Sequence, residues 1–347
     1  MRKYVAFTLL FLLFLGCAEP SQEPELTPDS PETVSAPAPP PSQPPLPPQD
    51  QPAPELPAVP EEEPIPPEMP SEEFEEVTPG EGIGNAPAGL QGDNGPWKHR
   101  IKSASSPDGL QWTRDNFILA DQASVPDAII DTDGDIRVYY VDWKNGGISV
   151  AINKDGDWRY YKVKVEYNDF FSGADPDVVL IDDVYRLYFT NFESVSSRFA
   201  SIDVAFSDNG IEFEDQETAY AREQGITDPD VFMADDEWVM LISEGVQSTL
   251  ATSDDGLDFR KQSELPFMGS VSNTIKVAGG YRMYYHKSSG LPPQADIYSA
   301  FSSDGLDWEE EGLRLEASAS EESVESPAVV RLPDGGYRMF YHSMISD

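Results

Sequence analysis

Beyond residue 97 the apolar positions fall into short runs rather than helical stripes. The runs "DIRVYYVDW", "VYRLYFTNFE", "EWVMLISEG", "GYRMYYHKS" and "GYRMFYHSM" are rich in aromatic and β-branched residues and are bounded by Gly, Asp and Pro. Such runs are strands, because those side chains pack on a pleated surface and the bounding residues suit turns. No segment here carries apolar residues at the spacing of an amphipathic helix. Each aromatic run follows a shorter element: "VPDAII" (125–130), "DPDVVL" (175–180), "DPDVFM" (228–233), "VSNTIK" (271–276) and "SPAVVR" (326–331). A polar turn lies between the two, which predicts a strand pair, A then B.

A second motif alternates with this pair: "SPDGLQW" (106–112), "NKDGDW" (153–158), "SDNGIEF" (207–213), "SDDGLDF" (253–259) and "SSDGLDW" (302–308). Asp-Gly and Asn-Gly tolerate positive φ and make tight hairpins, so each motif joins a strand C to a strand D. The aromatic after each turn, among them Trp112, Trp158 and Trp308, packs the next strand. The turns at Asp108, Asp155, Asn209, Asp255 and Asp304 recur every 46 to 54 residues, which marks a repeat architecture. The chain opens on a C–D pair and closes on an A–B pair. In a ring, these two halves complete one blade and hide otherwise exposed sheet edges. The pattern therefore predicts an all-β fold over residues 97–347: a five-bladed β-propeller with four strands per blade.

Composition changes sharply upstream. Residues 1–16 place Arg2 and Lys3 before an apolar run from Tyr4 to Leu15, the layout of a secretory signal and too short to span a bilayer. Cys17, the only cysteine, ends "LLFLGC", which looks like a bacterial lipobox. Its lipidation would anchor the chain to a membrane, because two or three acyl chains hold where one does not. Residues 17–96 are Pro- and Glu-rich and then Gly-rich, and read as a disordered tether. The expected location is the bacterial outer membrane or cell surface, and the expected state a monomer. With 63 acidic against 23 basic residues, nucleic acid is excluded as a partner, since phosphate contacts need Lys and Arg.

The A elements resemble those of five-bladed propeller glycosidases: arabinanases and xylosidases of family 43, and the related invertases and levansucrases. There, Asp-Pro pairs open several innermost strands, and a base Asp, a second Asp and an acid Glu point into one funnel. The resemblance implies catalytic roles for Asp175 and Asp228, with Glu244 as the acid. In the first blade Val125 stands where the family has Asp, leaving Asp127 as the candidate. Residues before A and after B meet at one mouth, which adds Asp142, Trp143, Asp177, Glu193, Asp230, His286 and His342 as ligand contacts. Trp143 is the candidate for stacking on a sugar ring. Two carboxyls flanking a glycosidic bond, one protonated and one ionised, are what hydrolysis needs. An Asp at a strand start also caps a neighbouring backbone, so a structural role competes at Asp175, Asp177, Asp228 and Asp230. Two classes stay open: a glycosidase, or a non-catalytic binder of a glycan or protein. No Cys/His metal spacing or phosphate-binding Gly loop is present. No cofactor is expected, with Ca²⁺ among the funnel Asp residues permitted by ligand type.

Overall fold

Each aromatic run pairs with the A element before it and the C element after it. The computed structural model describes residues 74–85, 95–165, 173–192, 200–222, 225–289, 294–319 and 321–345. Among these residues are 21 strands and one short 3₁₀ turn, Pro96–Lys98. The chain enters through β1 (His99–Ser106) and β2 (Thr113–Asp121). Blade one follows as β3 (Ala123–Ile130), β4 (Ile136–Asp142), β5 (Ile148–Lys154) and β6 (Asp157–Lys162). Blade two is β8 (Gly173–Ile181), β9 (Val184–Phe192), β10 (Ala200–Ser207) and β11 (Glu212–Arg222), with β7 (Lys164–Val165) added parallel to β11. Blade three is β12 (Thr227–Ala234), β13 (Glu237–Glu244), β14 (Gln247–Ser253) and β15 (Arg260–Glu264). Blade four is β16 (Ser270–Val277), β17 (Gly280–Ser289), β18 (Gln294–Ser302) and β19 (Glu309–Leu315). Blade five joins β20 (Glu321–Arg331) and β21 (Tyr337–Ile345) to β1 and β2, in the order β2-β1-β21-β20. The ring thus closes by pairing its two ends, as the phase of the repeat requires.

Five apolar clusters hold the blades together, one at each seam. Between blades two and three, for example, Ile202, Val204 and Tyr220 meet Val231, Met240 and Phe259. The Asp-Gly turns add a polar latch. Asp108 accepts the N–H of Leu110 and Gln111 at 2.8 Å each, and Ser106 Oγ accepts the N–H of Gly109. Gly109 sits at φ +72°, and a Cβ there would lie 2.7 Å from the Tyr284 hydroxyl, so glycine is required. That hydroxyl donates to Gly109 O at 2.8 Å, tying blade four to the turn of blade five. In blade one, Tyr139 donates to Gly210 O and Arg137 to Asn209 O; in blade two, Tyr188 donates to Gly256 O and Arg186 to Asp255 O. Arg137, Arg186 and Arg282 recur in the sequence at one strand-B position for this reason: they stand beside the tyrosines that hold the next blade's turn. The seams from three to four and from five to one lack the latch. In blade three Leu241, paired with Asp230, stands in the place of the tyrosine. From five to one Phe340 replaces it, and the buried Arg338 Nε has no hydrogen-bond partner.

That seam is closed from outside instead. Residues 74–85, which composition assigns to the tether, lie against the ring and move the domain boundary upstream of Trp97. Val77 N–H donates to Tyr160 O and Lys162 N–H to Glu75 O, making a short extra strand on β6. Phe74 packs edge-on against Tyr161, with ring centroids 6.1 Å apart. The segment then crosses to blade five, where Asp121 N–H donates to Gly80 O at 3.1 Å and Gly84 N–H to Trp97 O at 2.8 Å.

Candidate functional site

The opening of every inner strand carries the same distortion. Val125, Asp175, Asp228, Val271 and Ser326 all have φ between 46° and 53°. These non-glycine residues sit in the left-handed region, at a cost of order 1 kcal/mol each, more for the two valines. Each is followed by Pro126, Pro176, Pro229, Ser272 or Pro327, and the ladder skips there, for instance between Ala174 and Asp177, as in a β-bulge. A bulge re-aims the side chains on either side of it. It also frees a backbone N–H, which the preceding blade accepts. Val125 N–H donates to His342 Nδ1 (3.4 Å), Asp228 N–H to Thr190 Oγ1 (3.2 Å), Val271 N–H to Ser243 Oγ (2.8 Å) and Ser326 N–H to His286 Nδ1 (3.3 Å). His286 and His342 therefore occupy one repeat position because each is an acceptor between blades.

Two residues further along, a second ring forms. Asp127 accepts Val178 N–H at 2.8 Å and, across the axis, Asn273 Nδ2 at 3.0 Å. Asp177 accepts Val231 N–H at 3.1 Å. Asp230 accepts Thr274 N–H at 2.9 Å and its hydroxyl at 2.8 Å. Asn273 takes the same part toward Val329 N–H at 2.8 Å. Blade five ends the series with Ala328, which has nothing to offer. Asp127, Asp177 and Asp230 are each under 6% exposed, so their carboxyls serve the backbone of the neighbouring blade rather than solvent.

Both tiers line one constriction, shared by Asp127, Asp175, Asp177 and Asp228 with the prolines, whose free volume is about 10 Å³. That is room for about one water. Burial pushes Asp175 up to about 6, Asp230 to about 6 and Asp127 to about 7. Asp228 is raised well above the ordinary range by burial and then by the charge of Asp175; Asp177 is raised by burial and then by Asp127 and Asp230. Burial thus shifts all five carboxyls toward the protonated form, Asp228 and Asp177 furthest because a neighbouring carboxylate adds to it. In the upper tier Asp175 takes hydrogen bonds from the Thr190 hydroxyl and the Asp228 N–H, and its charge acts on the Asp228 carboxyl.

The other candidates are held by contacts of their own. Glu244, at the end of β13, forms an ion pair with Arg222 at 2.5 Å and accepts from Thr249 Oγ1 at 2.8 Å. Asp142 is buried and caps its own turn, accepting from Asn145 N–H and from Ser149 Oγ. Trp143 packs on Trp97, ring centroids 5.9 Å apart. Glu193 and Cys17 lie outside the described residues. Among the described residues no three His, Cys, Asp or Glu side chains are placed to hold a metal ion together.

Sequence reasoning missed Glu325. It lies one residue before the distorted position of blade five, where the other blades have Ser124, Ala174, Thr227 and Ser270. Its Oε2 is 3.6 Å from His342 Nε2, and Ser323 donates to its Oε1. Burial would raise its pKa, but hydrogen bonding to His342 and the imidazoles of His342 and His286 hold it well below the ordinary range. His99 stacks on His342 at 4.7 Å, so all three histidines of the chain gather beside this carboxylate. Glu325 breaks a run of small residues at its repeat position, and that break was the available signal. The inner-strand starts thus combine an acid pair that favours protonation with an acid that favours ionisation.

No protein-family model matches the chain, and no curated protein matches it. Solved structures do. A thermostable family-43 glycoside hydrolase aligns with a TM-score of 0.51 at 15% identity, covering 65% of this chain and 90% of its own. An endo-1,4-β-xylanase from Bacteroides thetaiotaomicron gives 0.51 at 15% identity, covering 64% and 84%. A glycosyl hydrolase from Bacteroides ovatus gives 0.50 at 14%, covering 64% and 81%. At these identities the likeness is one of fold: the chain is a five-bladed β-propeller of the kind on which glycoside hydrolases are built.

Proposed function

We propose that this is a cell-envelope lipoprotein whose propeller engages glycans at the mouth where the inner strands begin. The observation that carries the reading is the Asp175–Asp228 pair, set at left-handed positions of adjacent blades, both raised in pKa by burial and Asp228 further by the charge of Asp175. A carboxyl kept protonated near neutrality can donate a proton to a leaving oxygen, while an ionised partner activates water. Glu325 is the acid whose surroundings favour that ionised state. The glycosidase-like fold supports a carbohydrate as the ligand, and lipidation at Cys17 with the Pro-rich tether would hold the ring away from a membrane. The test is a panel of oligosaccharides and aryl pentosides assayed for both binding and turnover, with wild type beside Asp228→Asn.

A second reading is binding without turnover. It is favoured by Val125 at the first-blade position, by the engagement of Asp127 with Val178 and Asn273, and by the ion pair that occupies Glu244. Glycan binding with no product formed would select it. Cys17→Ser separates the question of location: the variant should leave the membrane fraction, and retention there would rule out anchoring through Cys17.

A further inference from the structure

The inner strands end, away from Asp175 and Asp228, around a second space. This cavity has a volume of about 380 Å³, within the range of small-molecule pockets. The constriction above it is nearly shut, at about 10 Å³, so a molecule in the cavity is not in line with the acid pair. Its walls come from the second halves of β3, β8, β12, β16 and β20, with Asp127, Asp177 and Asp230 at the deep end.

One repeat position decides its chemistry. Three residues past the lower-tier position stand Ile130, Leu180 and Met233 in blades one to three, but Lys276 and Arg331 in blades four and five. The cavity is therefore apolar on one side and cationic on the adjoining side. Both cations are exposed, and among the described residues neither is in an ion pair, in contrast to Arg137 in β4 and Arg282 in β17. The Lys276 ammonium instead lies 5.6 Å from the centre of the Tyr281 ring, which also lines the space. Two neighbouring cations left without carboxylates, beside a wall of Ile, Leu and Met, complement a small molecule with an apolar body and an anionic head. Guanidinium matches a planar carboxylate in two-point geometry, with the ammonium as a third donor. The acids at the deep end fix the orientation, because they disfavour a second negative charge and keep the head at the rim.

We propose that this cavity binds a small amphipathic carboxylate, its head held by Lys276 and Arg331 and its apolar body directed inward past Ile130, Leu180 and Met233. The test is calorimetric titration of the purified chain with sodium octanoate, with 1-octanol and sodium glucuronate as comparators. The expected result is saturable 1:1 octanoate binding that weakens at least tenfold for octanol, which lacks the charge, and for glucuronate, which lacks the apolar body. The double variant Lys276→Ala/Arg331→Ala should melt as wild type does, since both side chains are exposed, and should lose at least tenfold in octanoate affinity. Lys276→Arg should retain binding. The proposal is overturned if octanoate gives no saturable heat, if octanol or glucuronate binds as well as octanoate, or if the double variant binds octanoate unchanged.

Discussion

Asp230→Asn tests whether the lower carboxyl ring is scaffold. The wild-type carboxyl is buried and titrates at about 6, against roughly 3.9 in an unfolded chain. A raised carboxyl contributes its stability in the protonated form. That contribution is complete below about pH 4 and is lost as pH rises through 6. Holding the charge at pH 7.5 therefore costs up to about 3 kcal/mol. An amide carries no such burden and still accepts Thr274 N–H through its oxygen, the part Asn273 already plays toward Val329 at 2.8 Å. The Thr274 hydroxyl, now 2.8 Å from the carboxylate as a donor, can rotate to accept from the amide. Asp230→Asn is thus expected to melt about 2–8 °C above wild type at pH 7.5 for a ring of this size, and level with it or slightly below at pH 4.5. Asp230→Ala strands the Thr274 N–H and hydroxyl together and should cost about 2–4 kcal/mol at either pH. The assay is thermal unfolding followed by circular dichroism at the two pH values. A melting point for Asp230→Asn that falls equally at both would refute the reasoning, because it would mean that the charge itself is stabilising.

Three further outcomes follow from the fold. A chain starting at residue 97 should be about 2–5 kcal/mol less stable than one starting at residue 74, because it loses Phe74 and the bonds to Tyr160, Lys162, Asp121 and Trp97 that close the seam between blades five and one; equal denaturant midpoints would show the strap to be idle. Tyr188→Phe should lose about 0.5–1.5 kcal/mol with the bond to Gly256 O, whereas Phe340→Leu, at a position with no latch to lose, should show only the cost of reduced packing; urea melts compare the two. His286→Ala should loosen the seam between blades four and five by removing the acceptor of Ser326 N–H, seen as faster amide exchange at Ser326 than at Val271.

Much of the ring was legible because its signals are local. An Asp-Gly turn specifies its own hairpin, and an odd C–D pair at one end matched by an odd A–B pair at the other specifies closure. What was not legible depends on context. Nothing in "VPD" or "VSN" announces a left-handed Val125 or Val271; that conformation is imposed by the bulge at the mouth and held by acceptors from the preceding blade. The two-residue step between Asp175 and Asp177 looks trivial in the sequence. In the structure it separates a pair of acids in adjacent blades from a ring of backbone acceptors. Phe74 and Val77 were hidden by the Pro- and Glu-rich composition around them, since their stabilisation comes from the edge of β6. Glu325 escaped because attention to Asp-Pro pairs passed over Ser326-Pro327, where the acid stands one residue earlier.

Comparing wild type with Asp228→Asn on the oligosaccharide and aryl-pentoside panel bears most directly on the central claim, that the paired acids at the inner-strand starts form a glycan site. Asp228→Asn should leave the fold intact, be neutral or stabilising near pH 7 because it removes a buried carboxyl that must take up a proton on folding, and weaken turnover or binding on whichever glycan wild type recognises. A clearly lower melting point with an unchanged profile across the panel would contradict the account, placing Asp228 in the scaffold and leaving this mouth of the ring without its acid centre.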